Sequence, residues 1–224
     1  MVYSKKFNIT KFASFLILIM MLIPNIASAD IGFSISPFNS FSGAVEHTAT
    51  YNNESVRATG TFESSNFPFM IFGTGESGGK ISYLQHELKA TAVGSNNISS
   101  RESISANGKT KVATSAILFG FESSTKESGL FGGVSIGWFK SSTINTTDVH
   151  YIYDSYYSSS DINYKDTIVS QSSSGPSFGW ALNLGFRSTE NLKSDIKTAY
   201  ELMYFNANTE YDVGGLLFMI SISQ

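Results

Sequence analysis

Three features of the sequence predict an all-β fold, namely a single antiparallel up-and-down transmembrane β-barrel of about eight strands, with ten as the alternative count. Segments in which large apolar residues alternate with small or polar ones recur along the chain. Stretches rich in turn-forming residues separate these segments. After residue 29 no apolar run is long enough for a membrane helix, so strands would have to cross the bilayer.

The clearest strand is Ser177–Arg187. Its two faces differ sharply, because a strand sends successive side chains to opposite sides. Lipid accepts large side chains around a membrane barrel, and a narrow lumen accepts small ones, so this pattern favours a barrel wall over a soluble core. The large residues are Phe178, Trp180, Leu182, Leu184 and Phe186, and those between them are Ser177, Gly179, Ala181, Asn183, Gly185 and Arg187.

The N-terminal 29 residues have the three-part layout of a secretory signal peptide. Three lysines precede an apolar run from Ala13 to Ile23, and Pro24 ends it. Ala27-Ser28-Ala29 fits a small-residue cleavage site, so cleavage after Ala29 is expected. We therefore expect a signal peptide over residues 1–29 and one outer-membrane barrel domain over residues 30–224.

Composition restricts the function classes. The chain has 15 Lys+Arg and 18 Asp+Glu, and removing the three leader lysines leaves 12 against 18, a net charge of −6. This balance argues against a nucleic-acid partner, which requires a basic surface. The chain has no cysteine, so it forms no disulfide, and an exported chain of this kind fits a Gram-negative envelope.

The first half contains extended segments whose register the pattern does not always fix. A glycine-rich stretch at Gly73–Gly78 matches the dinucleotide-binding pattern G-x-G-x-x-G, but we interpret it as a tight turn between strands, because a lone glycine match is weak. Lys80–Ala92 could form a helix, although we favour a strand. The other elements are a first strand from Ile31 to Tyr51 interrupted at Pro37, a turn at Asn52-Asn53, and a second strand over Val56–Phe72.

The second half alternates more regularly. Gly94–Lys111 is polar and carries Asn107-Gly108, a hairpin-turn signal, so we expect a loop there. Ser141–Gly175 is rich in serine and tyrosine and could extend its flanking strands into a protruding hairpin that turns near Ser158–Asp161. The remaining predicted strands are Val112–Phe121, Leu130–Lys140, Ile196–Phe205 and Val213–Gln224.

This pattern resembles the small eight-stranded outer-membrane barrels, the group that includes the OmpA transmembrane domain, OmpX and the neisserial opacity and surface proteins. The resemblance depends on the leader, the alternating strands from Val112 onward and the terminal strand with Leu216, Phe218, Ile220 and Ile222. Gln224 departs from the usual terminal aromatic residue. The resemblance implies an outer-membrane location, contact with outer-membrane lipid and recognition by the barrel-assembly machinery.

Candidate chemistry is sparse, and we expect no enzyme, cofactor or metal. The histidines are His47, His86 and His150, and no signature of an outer-membrane hydrolase surrounds them. Asp148 and Asp154 near His150 could bind a metal, but a solvated loop is the simpler interpretation. An outer-membrane enzyme acting on lipid or peptide remains one alternative, and a soluble exported β-sandwich that binds a ligand is another.

Two groups of residues are functional candidates. The first group lies on the faces of neighbouring strands that carry small or polar residues, and it consists of Arg187, Lys197 and Glu201. We favour a polar network that fills the lumen over a gate or ion path. The second group is a set of tyrosines that binding loops favour and that a host or cell-surface ligand could contact: Tyr151, Tyr153, Tyr156, Tyr157 and Tyr164. The predicted function is a non-enzymatic surface barrel whose outer loops serve adhesion, host interaction or envelope integrity.

Overall fold

The computed structural model describes residues 30–75, 77–124, 129–154, 162–188, 196–209 and 214–224. The expected signal peptide, over residues 1–29, lies outside this part of the chain. Every element in the described part is a strand. In chain order they are β1 (Asp30–Phe41), β2 (Ala44–Tyr51), β3 (Glu54–Ser64), β4 (Phe69–Thr74), β5 (Gly79–Ser99), β6 (Glu102–Ser124), β7 (Leu130–Tyr153), β8 (Ile162–Ser173), β9 (Ser177–Arg187), β10 (Lys197–Ala207) and β11 (Gly214–Ser223).

The strands close into a ring of eight. Going around the ring, β1, β4, β5, β6, β7, β9, β10 and β11 each pair antiparallel with the next, and β11 pairs with β1. The predicted all-β up-and-down barrel of about eight strands is thereby confirmed. The sandwich alternative is wrong, because a single sheet closes on itself instead of two sheets packing face to face.

The remaining three strands extend members of the ring. β2 continues β1, β3 leads into β4, and β8 leads into β9. The breaks coincide with residues that interrupt a ladder: Gly43 at a positive φ of 120°, Pro68, and Pro176. The ten-strand alternative is therefore wrong, because the Ser141–Gly175 segment lengthens two existing strands without adding members to the ring.

Above one end of the ring, six strands continue as an open sheet in the order β2, β3, β5, β6, β7 and β8. We call this extension the outer sheet. Here the predicted polar loop over Gly94–Lys111 is wrong. Those residues form the paired ends of β5 and β6, and the chain turns at Ser100 and Arg101. Glycine is needed at position 108 because the His47 ring lies 2.3 Å from where a Cβ would be.

Several local predictions hold. Asn52 and Asn53 form the turn between β2 and β3, both at positive φ (50° and 66°), a conformation that asparagine tolerates. The Gly73–Gly78 region provides the turn between β4 and β5, closed by a hydrogen bond from the Gly75 amide to the Gly79 carbonyl oxygen. Lys80–Ala92 is a strand. The predicted turn near Ser158–Asp161 lies outside the described residues.

The interior has two hydrophobic clusters, one for each tier. The lower cluster fills the ring and includes Met70, Leu118, Phe139 and Met219. The upper cluster lies inside the curved outer sheet and includes Val45, Leu88 and Ile104. Glycines on the inward face of β9 make room for neighbouring aromatic side chains: a Cβ at Gly185 would lie 2.4 Å from the Phe131 ring, and one at Gly179 would lie 2.5 Å from the Phe139 ring. The eight-stranded ring is thus packed with side chains.

Candidate membrane belt, lumen network and outer sheet

A belt of exposed apolar side chains surrounds the ring. Leu184 is 65% exposed, which is unusual for leucine in a water-facing sheet. Within the described residues, no helix is both long and apolar enough to cross a bilayer. Further members of the belt are Ile31, Phe33, Ile35, Phe119, Phe121, Leu130, Val134, Ile136, Trp138, Phe178, Leu182, Phe186, Tyr200, Leu202, Leu216 and Ile222.

The belt has a defined outer edge. Trp138 contacts Phe119 with ring centroids 6.1 Å apart, and Trp180 lies 5.5 Å from Tyr204. Lys140 follows Trp138 on the same outward face. Aromatic residues followed by charged ones are typical of the boundary between hydrocarbon and headgroups.

Beyond that edge the outward face is polar and carries cross-strand ion pairs. Lys111 Nζ lies 3.0 Å from Glu87, and Lys89 Nζ lies 3.9 Å from Glu63. Each pair bridges neighbouring strands of the outer sheet, and such exposed pairs contribute little to stability. They show instead that this tier of the wall faces water.

Inside the ring, four ionisable side chains form a buried network. Glu122 connects two cations: its Oε2 accepts from Lys80 Nζ at 3.1 Å, and its Oε1 lies 2.6 Å from an Arg187 guanidinium nitrogen. Glu201 Oε1 lies 3.6 Å from Lys80 Nζ. Two basic and two acidic groups therefore share the same enclosed space, where an unpaired charge would be costly.

The lumen prediction located two of its three residues together. Arg187 and Glu201 join one network through Glu122 and Lys80, whereas Lys197 does not. Lys197 lies at the end of β10 and binds Asp30 at 2.6 Å, with 45% of its side chain exposed. The alternation along β10 predicted correctly which face of the strand carries Lys197. Because Lys197 lies at the rim of the barrel, however, its ammonium group is in solvent.

Sequence reasoning missed Lys80 and Glu122. Glu122 lies just beyond the predicted strand Val112–Phe121, whereas β6 continues to Ser124. Strand alternation carried two residues further, from Ala116, Leu118 and Gly120, would have placed Glu122 on the inward face. Lys80 is the second residue of β5, and the competing helix interpretation of Lys80–Ala92 left the direction of its side chain undetermined.

An aromatic septum separates the charged network from the upper tier. His86 stacks between Phe41, at 5.3 Å, and Phe205, at 5.2 Å, and Phe139 stacks on Phe205 at 5.9 Å. Both ring nitrogens of His86 are buried without a hydrogen-bond partner. These rings pack against one another inside the lumen, between the charged network and the outer sheet.

The three histidines occupy different environments and share no site. His47 lies inside the outer sheet, where its ring nitrogens bond to Thr147 at 2.7 Å and Thr110 at 2.8 Å. Burial lowers the pKa of His47. His150 lies on the outward face and contacts Asn163 at 2.9 Å. No group of three or more potential metal ligands occurs among the described residues.

The tyrosine prediction needs correction. Tyr151 points inward, is 1% exposed and donates to the Glu102 carboxylate. It packs with Tyr164 around Tyr51, a β2 residue that sequence reasoning missed; the Tyr51 centroid lies 4.7 Å from Tyr151 and 4.0 Å from Tyr164. Tyr153 is partly exposed at the end of β7. Tyr156 and Tyr157 lie outside the described residues.

Tyr51, Tyr151 and Tyr164 pack against the upper cluster instead of forming a displayed patch. Outside the membrane, no large lipid-facing residues alternate with these tyrosines, so the sequence did not show which side of the strand each one faces. A tyrosine-rich strand was therefore interpreted as a binding loop. The exposed surface of the outer sheet is mainly polar, with serine, threonine, asparagine and lysine side chains, and it includes the exposed apolar residues Val93, Ile168 and Val169.

Comparisons with known proteins support only a distant likeness. No protein-family model matches the chain, and no curated sequence is significantly similar. Among solved structures, neisserial surface protein A is 8% identical, with 87% of this chain and 94% of that chain covered and a TM-score of 0.30. The Ail attachment invasion locus protein of Yersinia pestis is 12% identical, with 87% and 94% covered and a TM-score of 0.29.

A second Ail structure, in complex with the heparin analogue sucrose octasulfate, is 11% identical, with 87% of this chain and 97% of that chain covered and a TM-score of 0.29. At these scores, the fold assignment depends on this chain's own strand register, which closes the ring of eight.

Proposed function

We propose that this protein is a non-enzymatic outer-membrane surface barrel that presents its outer sheet for adhesion, host interaction or envelope integrity. The observation that carries the proposal is the two-tier wall. The lower tier exposes a continuous apolar belt and encloses a charged network within its packed interior, whereas water-soluble proteins rarely expose apolar patches of this extent. The upper tier has a polar outside and an apolar inside, as a water-exposed domain does.

The orientation follows from the two ends of the barrel. At one end the chain turns close to the belt, as at Gly75–Gly79 between β4 and β5. At the other end the wall continues for the length of the outer sheet. Outer-membrane barrels have short periplasmic turns and long extracellular extensions, so the outer sheet faces the exterior. Lipid contacts the belt, the assembly machinery handles the nascent barrel, and a cell-surface ligand would meet the outer sheet.

The chain has no cysteine, so single cysteines report sidedness cleanly. We expect Ser100→Cys, at the exposed β5–β6 turn, to react with a membrane-impermeant maleimide on intact cells. Ser123→Cys, exposed at the opposite end of β6, should react only after the envelope is permeabilised. The protein should fractionate with outer membrane and migrate differently on gels before and after heating. Recovery in the soluble periplasmic fraction, or labelling of both positions in intact cells, would contradict the proposal.

A further inference from the structure

β8 is an exposed edge strand. It pairs with β7 on one side, and its other edge has no partner among the described residues. Every residue of β8 except Tyr164 is exposed, including Ile168 at 51% and Val169 at 64%. Since Ile168 pairs in register with the buried Thr147, it lies on the inner face, where the other strands bury their side chains. The strand therefore adds little to the core.

β8 has only part of the protection that edge strands normally carry. Proteins block such edges with charged side chains, proline, bulges, short strands or covering segments, and β8 has the charged residues Lys165 and Asp166. β8 has 12 residues, no proline and a continuous register with β7. Its centre, Thr167-Ile168-Val169, is β-branched, the composition that strand pairing favours. The opposite edge, β2, is shorter, and its inner face is buried.

We propose that the β8 edge pairs antiparallel with β8 of a second copy of this chain held in an apposing membrane. The inference rests on the proposed function, since it requires the outer sheet to face outward from a membrane, and it names the partner of that surface. It would make the protein a homophilic bridge between two cells.

The sequence of β8 fits one register of self-pairing. Residues opposite one another must lie on the same face, so the pairing must match odd positions with odd ones and even with even. Centring on Ile168 places Ile168 against Ile168 of the second copy, and Thr167 against Val169. Centring on Asp166 would oppose two carboxylates, and centring on Thr167 would oppose Asp166 to Ile168 and Lys165 to Val169. Centring on Val169 also opposes no charges but places Ile168 against Ser170, whereas centring on Ile168 keeps the β-branched residues Thr167, Ile168 and Val169 opposite one another.

Symmetry determines where the second copy lies. Two antiparallel edge strands of one continuous sheet are related by a two-fold axis perpendicular to the sheet. In a barrel wall that axis is radial and so lies in the membrane plane. Rotation about it reverses the barrel axis, so the two copies cannot share one membrane and must face each other from two.

Liposomes carrying the refolded barrel test this directly. Two populations, labelled with donor and acceptor lipids, should cluster when mixed, as measured by energy transfer and turbidity. Ile168→Lys should reduce clustering at least tenfold, because two ammonium groups would then lie opposite each other, and Ile168→Glu should do the same. The matched control is Ile144→Lys, since Ile144 is similarly exposed but lies on β7, which is paired on both sides.

An experiment that mixes the Ile168→Lys and Ile168→Glu variants tests the pairing most directly. Liposomes with Ile168→Lys should cluster with liposomes carrying Ile168→Glu, although neither clusters with itself. In oxidising buffer, Ile168→Cys should form a disulfide dimer between apposed liposomes, and Gln171→Cys should not. Two copies of Ile168→Cys in one nanodisc should remain monomeric.

The outcomes separate this inference from the proposed function. If barrels that are heat-modifiable and labelled outside at Ser100→Cys leave the liposomes dispersed, self-pairing is overturned and the surface-barrel proposal stands. Clustering that survives Ile168→Lys, or that the mixed charge variants fail to restore, also overturns it. If the protein does not insert, the proposed function fails first.

Discussion

At the scale of single residues, Glu122 is the centre of the buried network because it neutralises both Lys80 and Arg187. Glu122→Ala would leave these cations with only Glu201 in an enclosed space. Removing one partner of a buried ion pair typically costs about 3–5 kcal/mol. We expect a loss of this size in the free energy of unfolding, measured by denaturant titration in lipid bilayers.

The control for that change is Lys197→Ala, which removes the half-exposed pair with Asp30 at the barrel rim. Exposed pairs contribute about 0–1 kcal/mol, so this variant should unfold close to the wild-type midpoint. Similar losses for both variants would mean that the network is more hydrated than its burial suggests.

His47 makes the outer sheet sensitive to acid. Burial lowers its pKa below the ordinary 6.5, so the folded sheet holds it neutral while the unfolded chain binds a proton. This contribution to stability is fully present above the unfolded pKa and is lost as the pH falls below it. We expect lower protection of the β2 amides at pH 5 than at pH 7.5, once exchange rates are corrected for the intrinsic dependence of amide exchange on pH.

His47→Gln provides the comparison, because it removes the titrating ring and retains polar atoms. The difference in β2 protection between the two pH values should shrink in this variant. An unchanged difference would assign the acid response to another group.

At the scale of elements, the two faces of β9 predict opposite tolerance to substitution. Leu182 is 48% exposed in the belt, and Arg at the bilayer midplane costs about 2–4 kcal/mol. Ala181, its buried neighbour, faces the lumen, where Ser should cost less, about 1 kcal/mol. We expect Leu182→Arg to impair insertion in a refolding titration much more than Ala181→Ser. Equal effects would mean that the strand faces are reversed.

β6 shows how a turn signal can lie within a strand. A Cβ at Gly108 would lie 2.3 Å from the His47 ring, which two hydrogen bonds hold in place. Gly108→Ala should therefore destabilise the outer sheet by about 1–3 kcal/mol, a typical cost of overpacking. Protease resistance of the outer sheet measures this. Gly73→Ala is the control, since nothing lies within 4 Å of its Cβ position, and it should remain as resistant as the wild type.

At the scale of the whole molecule, the two tiers have separate interiors divided by the aromatic septum. Phe41, His86, Phe205 and Phe139 stack across the lumen, so no wide aqueous path connects the charged network to the outer sheet. Planar-bilayer recordings of the pure protein should show no large, steady pore. Reproducible porin-sized conductance steps would show that the septum opens.

The sequence alone was enough to predict the barrel, because the alternation of side chains along a strand is a local pattern. Contact with lipid on one face makes the difference between the two faces large. In Ser177–Arg187 the large residues all face outward and the small ones face inward, so the pattern specifies both the strand and its faces. The same reasoning located Arg187 and Glu201 in the lumen. The Asn52-Asn53 turn was likewise readable, because its backbone conformation favours particular residues.

Only the tertiary structure decided what lies above the belt. Outside lipid, the outward face of a strand can be polar, so the alternation of apolar and polar residues is weak over Gly94–Lys111. Asn107-Gly108 was therefore mistaken for a turn. The partners of a buried charge come from distant strands, so Glu122 and Lys80 could not be matched to Arg187 and Glu201 from spacing alone. Tyr151 is buried because Tyr51 and Tyr164 meet it across the outer sheet, a contact set by closure of the barrel and not by the neighbours of Tyr151 in the chain.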